Sequence, residues 1–205
     1  MSFRLKMASI LATRSVLERQ LDRVAEMTTG MLDEMVDHYI PEALEALKAE
    51  DRPLEGALEK RRLVMADAHR RRVQVLVTAL GETAAIERGR RRMGPVGERL
   101  GAEARQRFGV DDSMEDLVAA AELVYRVLGI EFDAEEHDDG SVTLHIDRCG
   151  LSESYEPVTC RLMSATDEGM IRGLNPSIRM KFSQRMTEGG SKCMAHLDAR
   201  GGDDR

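Results

Sequence analysis

The sequence contains no tryptophan, and only three tyrosines and four phenylalanines stand among its 205 residues. A core of stacked rings is excluded, so the interior must be filled by aliphatic side chains and by the 13 methionines, whose flexible thioethers fit irregular gaps. Long apolar runs are missing too. No stretch approaches the roughly 18 residues of a membrane-spanning helix. The start Met1–Lys6 has no apolar segment of a secretory signal behind it, because Arg14, Glu18 and Arg19 arrive too soon. These absences predict a cytoplasmic protein with no membrane partner. Cysteine is scarce, and three is an odd number, so free thiols or metal ligation are expected in place of secreted disulfides. Positive charge is in deficit, 30 Lys and Arg against 37 Asp and Glu for a net charge of −7, which argues against nucleic acid as a partner. The basic runs Arg70–Arg72 and Arg90–Arg92 lie in helical pattern and read as solvated faces.

What the chain does have is helical periodicity over its first two thirds. Met7, Ile10, Leu11, Leu17, Leu21, Val24 and Met27 recur at three- and four-residue steps, and Thr28-Thr29-Gly30 reads as the stop. A second pattern covers Met31 to Leu47, with Pro41 kinking it or opening a new turn. Past Asp51-Arg52-Pro53, a long helix is expected from Leu54 to Leu80, carrying His69 on its apolar side and stopping at Gly81. Thr83 to Arg92 is helical, and Gly94-Pro95 reads as a break before Leu100 to Phe108. Asp112 followed by Glu115 resembles a capping box, and Gly129 supplies the stop of the helix it opens.

The period then changes from helix to strand. Ile130, Phe132 and Ala134 alternate, Asp139-Gly140 signals a tight turn, and Val142, Leu144 and Ile146 alternate again, so a β-hairpin is predicted. Pro157 fits the first position of a helix ending near Gly173 or Asn175-Pro176. A second hairpin is expected around Gly189-Gly190, from Ile178 to Leu197. The fold class is therefore α+β, a helical N-terminal half followed by a small antiparallel sheet of two hairpins with one intervening helix. Residues 1–82 form a helical segment suited to pairing chains into a homo-oligomer, 83–199 an α+β domain with a cysteine-lined site, and 200–205 a disordered tail.

Reactive side chains concentrate in the last third, where ten residues separate Cys149 from Cys160 and thirty-two separate Cys160 from Cys193. Strand parity puts His145, Asp147 and Cys149 on one face, opposite Val142, Leu144 and Ile146. In a regular strand His145 and Cys149 then stand about 13 Å apart, too far to share one zinc without a bend. A two-residue turn at Gly189-Gly190 would pair Met186 with Cys193 and Ser183 with His196. Cys160 falls in the first turn of its helix, where unpaired N–H groups and the helix dipole favour a thiolate, and it shares a face with Ser164 and Asp167. Cys160 is accordingly the candidate nucleophile, with Asp167 or His145 as acid, base or orienting partner. Cys149, Cys160 and Cys193 together are candidate ligands for zinc or an iron–sulfur cluster. The same three positions also suit small buried hydrophobes, the commonest state of a free cysteine.

The run Cys149-x10-Cys160, with Asp167, Leu174-Asn175-Pro176 and Glu188-Gly189-Gly190-Ser191-Lys192-Cys193, resembles the C-terminal part of the L-2-amino-thiazoline-4-carboxylic acid hydrolase-like family. It is more distantly similar to vinyl-reductase-type small-molecule-binding domains. Gly101 to Gly129 resembles the family's helix-loop-helix lead-in. The resemblance implies hydrolytic opening of a small cyclic C–N/C–S amino-acid derivative. The alternative function is a non-enzymatic sensor or binding domain that uses the three cysteines to hold a metal, an iron–sulfur cluster or a small molecule.

Overall fold

Helical and alternating periodicities resolve into an α+β architecture in this computed structural model, which describes Leu5, Met7 and residues 13–199. The stripe from Met7 to Met27 lies partly outside the described residues, and the tail 200–205 wholly so. The elements are α1 (Arg14–Tyr39), α2 (Pro41–Ala49), α3 (Leu58–Leu80), α4 (Glu82–Phe108), α5 (Met114–Leu128), β1 (Ile130–Glu136), β2 (Val142–Cys149), α6 (Pro157–Leu174), β3 (Ile178–Gln184) and β4 (Cys193–Ala199). The strands form one antiparallel sheet in the order β1-β2-β4-β3, so the two hairpins join through β2 and β4. Among the described residues no helix is long and apolar enough to cross a membrane.

Several local expectations are met. Pro41 and Pro157 open their helices, where a missing N–H costs nothing. Gly81 and Gly129 end theirs with positive φ, 77° and 68°. The capping box is shifted by one residue, because Ser113 is the N-cap and accepts from Asp116 N–H at 3.1 Å. The long helix expected from Leu54 starts at Leu58, after a bend at Gly56 with φ 86°.

Two expected breaks are absent. α1 runs through Thr28-Thr29-Gly30, and the Thr28 hydroxyl turns back to donate to Val24 C=O at 2.7 Å instead of capping an end. α4 runs through Gly94-Pro95. A glycine before proline has no Cβ to clash with the ring, which leaves the helical conformation open to it.

The glycines of this region are a packing surface. Gly94, Gly97 and Gly101 of α4 meet Gly169 and Gly173 of α6 backbone to backbone. A Cβ on Gly97 would overlap the Thr166 carbonyl, one on Gly101 that of Met170, and one on Gly169 that of Gly94. On its other sides α6 closes two cores. Met170, Ile171 and Leu174 pack with Val142, Leu144, Ala195 and Leu197 of the sheet. Leu162, Met163 and Ala165 join Leu32, Val36, Val73 and Leu76 of α1 and α3. Of the apolar residues of α1, Leu21, Ala25, Leu32, Met35 and Val36 are buried within the chain, while Leu17, Val24 and Met27 are partly exposed.

Candidate functional site

Where α6, the sheet and helices α1, α3 and α5 converge, they leave a cavity of about 80 Å³. By comparison, a single water needs roughly 10 to 15 Å³ and an engineered cavity of about 150 Å³ takes a benzene ring. Cys149, Cys160 and Cys193 all line it, as do Ser164 and Asp167. The spacing 160, 164, 167 stacks these side chains along one face of α6, as the sequence implies. Most of the remaining wall is aliphatic or aromatic, including Ile146, Met163 and Phe182.

Cys149 arrives there against the parity argument. Glu131 pairs with Arg148 but Phe132 pairs with Ile146, so Asp147 is an unpaired bulge residue. That extra residue turns Cys149 from the outer face to the inner one, beside Ile146. His145 precedes the bulge and stays outside. Its Nε2 stands 2.7 Å from Glu135 Oε2, it pairs across the ladder with Met194, and it does not line the cavity. Cys193 is buried opposite Ile146, with Met186 N–H donating to its sulfur at 3.3 Å. The turn around Gly189-Gly190 is longer than two residues because a 3-10 turn fills Met186–Glu188 and Ser183 bulges out of β3. Even so, Ser183 and His196 meet on the outer face, Oγ to Nε2 at 2.9 Å.

Cys160 is not the thiolate that its place near the helix start predicts. Burial pushes the Cys160 pKa up, against the lowering contacts of Thr187 and Arg185. Cys160 is the fourth helical residue of α6, and its N–H already donates to Glu156 C=O at 3.0 Å, so the unpaired N–H groups lie before it. Burial likewise raises Cys149 to about 12 and raises Cys193. Asp167 is the single carboxyl among the described residues that line the cavity. Burial, and secondarily the charge of Glu168, lift it to about 7 against the opposing pull of Arg185. At neutral pH the cavity therefore holds three protonated thiols and a carboxyl whose titration burial has moved up from the ordinary range towards neutrality.

Among the described residues no group of three or more His, Cys, Asp or Glu side chains is disposed to hold a metal ion. Sharing a cavity wall does not make Cys149, Cys160 and Cys193 a ligand set for zinc or a cluster, which requires them to converge on one point.

Sequence reading missed the inner end of the cavity. His69 is buried, with Nε2 2.9 Å from Thr28 Oγ1 and Nδ1 2.7 Å from Tyr155 Oη. All three line the cavity. Burial, with the nearby Arg72 charge, lowers His69 to about 3, so it is neutral. The one available signal was His69 on the apolar side of α3.

The fold and cavity define a helix-covered antiparallel sheet enclosing a small thiol-lined chamber. The chain belongs to the L-2-amino-thiazoline-4-carboxylic acid hydrolase family, whose description matches residues 61–197 and so takes in all three cysteines and Asp167. No curated protein matches the sequence. Among solved structures, a trafficking protein particle complex subunit 3 from Naegleria fowleri, covalently bound to palmitic acid, is similar with a TM-score of 0.51 at 14% identity, over 69% of this chain and 96% of that one. An H-NOX protein from S. oneidensis in the Fe(II)NO ligation state gives 0.44 at 12% identity, over 85% and 98%. At these identities the first likeness is one of fold.

Proposed function

We propose that the chain is a hydrolase acting on a small cyclic C–N/C–S amino-acid derivative of the aminothiazoline carboxylate type, whose reacting ring enters this cavity of about 80 Å³ while its carboxylate stays outside. The observation that carries the reading is that Cys160, Ser164 and Asp167 line one chamber from a single face of α6, within the segment matched to the family. Cys160 is the nucleophile and Asp167 the proton carrier, while Cys149 and Cys193 are walls. Two helical turns, roughly 10 Å of rise, separate Cys160 from Asp167, so protons pass between them through substrate or water.

The chemistry follows from the resting protonation states. The Cys160 sulfur bonds to the ring carbon flanked by nitrogen and sulfur, the C=N electron pair moves to nitrogen, and the thiol proton follows it. The resulting tetrahedral carbon expels one heteroatom, which takes a proton from Asp167. A water molecule then gives a proton back to Asp167 and bonds to the same carbon as the enzyme's C–S bond breaks, and the departing sulfur regains a proton. One water is consumed. A carboxyl near 7 can serve as acid and then as base, whereas one at the ordinary value could not donate at neutral pH.

The test is turnover of a cyclic thiazoline amino acid. Cys160→Ala is expected to lower kcat by about 1000-fold or more. The wild-type rate should show a pH limb near 7 that Asp167→Asn removes. Full turnover by Cys160→Ala would end the assignment of the nucleophile.

A further inference from the structure

The hydrogen bonds at the inner end of the cavity run in one direction only. A threonine hydroxyl has a single proton, and that of Thr28 goes to Val24 C=O at 2.7 Å. Towards His69, Thr28 can therefore only accept, so Nε2 of His69 carries the ring proton and donates across 2.9 Å. A neutral imidazole has one N–H, which leaves Nδ1 as an acceptor, and the Tyr155 hydroxyl donates to it across 2.7 Å. A helix carbonyl, which can never donate, thus sets the direction of every proton in the series. Tyr155, whose own proton is committed, lines the cavity with oxygen lone pairs alone.

We propose that Tyr155 is a one-way acceptor that selects ligands presenting an N–H at the inner end of the cavity, with His69 and Thr28 as positioning residues that hold it in that state. The inference deepens the hydrolase reading, since it takes the cavity to be the substrate site, and it assigns a specificity role to residues outside the chemistry proposed for Cys160 and Asp167. Three further features of the cavity agree with it. Among the described residues no lysine or arginine lines the chamber, and the single carboxyl that does, Asp167, is also an acceptor once ionised. The nearby Tyr125 hydroxyl is turned away to Met180 Sδ at 3.8 Å. Met65, Leu128 and Leu151 of the chamber wall offer no hydrogen bonds, so an N–H set against them forgoes the one that Tyr155 would accept. Amino-substituted rings are favoured over equal-sized rings that carry a methyl group in that place.

Two probes of matched shape separate a directional role from a structural one, namely 2-amino-2-thiazoline, which carries N–H donors, and 2-methyl-2-thiazoline, which carries none. Their dissociation constants are measured by calorimetry in the Cys160→Ala protein, where binding is read without turnover. The starting protein should prefer the amino compound by at least tenfold. Tyr155→Phe should cut the preference by about tenfold, the worth of one hydrogen bond to a buried group.

Thr28→Val is the sharper variant because it leaves Tyr155 in place. With no acceptor opposite Nε2, His69 takes its other tautomer and Nδ1–H donates to Tyr155, whose hydroxyl is then free to point into the cavity as a donor. The preference should fall further than in Tyr155→Phe and move towards the methyl compound, whose ring nitrogen accepts. Thr28→Ser should keep the original ratio. A purely structural role would weaken both probes equally, so an unchanged ratio in Thr28→Val and Tyr155→Phe overturns the proposal, as does equal binding, or no binding, of the two probes by the starting protein. The hydrolase reading is judged separately by turnover. Lost activity in Cys160→Ala with an unchanged ratio in the two relay variants sinks the relay alone, and retained activity with a shifted ratio sinks the nucleophile alone.

Discussion

Helix α6 has two faces built on opposite rules. Towards α4 it presents Gly169 and Gly173, and the two backbones approach until no Cβ fits between them. Towards the sheet it presents Cys160, Ser164 and Asp167, and the structure leaves a chamber of about 80 Å³ in front of them. The close approach on one face limits how far α6 can move to fill the gap in front of the other. Close packing normally draws neighbouring elements onto any gap they can fill. Here such a movement would pull α6 off the glycine seam.

The largest expected effect comes from breaking the closed face. Gly97→Ala places a methyl group inside the Thr166 carbonyl, a backbone atom that can move only if a whole helix moves. A loss of about 3 kcal/mol or more in chemical denaturation is expected. If the variant is folded, its cavity should have shifted with α6, seen as weaker binding of thiazoline probes. A loss below about 1 kcal/mol would mean that the seam is not rigid and that something else holds the chamber open.

The open face should respond in the opposite sense. Between its ordinary value of 3.8 and its folded value of about 7, the Asp167 carboxyl binds more protons in the folded protein than in the unfolded one. Stability therefore falls as pH rises through that window. A shift of this size corresponds to about 2 to 4 kcal/mol once water reaching the cavity is allowed for. Asp167→Asn should raise stability by that amount at pH 8, with the gain fading by pH 4, while hydrolysis slows and loses its pH limb near 7. Denaturation curves of both proteins at the two pH values decide it. A gain that does not depend on pH would show that the carboxyl is not held near neutrality by burial.

The two faces were not equally legible in the sequence. Cys160, Ser164 and Asp167 share a face by simple helical spacing from Pro157, and alternation located both hairpins. The glycine seam was misread because Gly94-Pro95 carries the same local signal whether it ends a helix or packs one against another, and only the opposing Gly169 and Gly173 tell the two apart. The bulge at Asp147 has no residue signature of its own, so the parity that put Cys149 outside was sound for a regular strand and wrong for this one. Thiol acidity depended on closure of the cavity by distant elements. The relay from Thr28 to His69 to Tyr155 joins residues 41 and 86 positions apart, beyond any local pattern.

The smallest expected effect isolates what makes the seam glycines special. Gly30 is also inside a helix, α1, but a Cβ built on it meets nothing within 4 Å. Gly30→Ala therefore removes only the backbone freedom that glycine has in the unfolded chain and should stabilise the protein by about 0.5 to 1 kcal/mol. Gly97→Ala enjoys the same propensity gain and is nevertheless expected to be strongly destabilising, so the difference between the two variants measures the cost of close approach free of helix propensity. If both were destabilising to similar extents, the glycines of α1 and α4 would share some other requirement, and the contrast between the two faces of α6 would lose its physical basis.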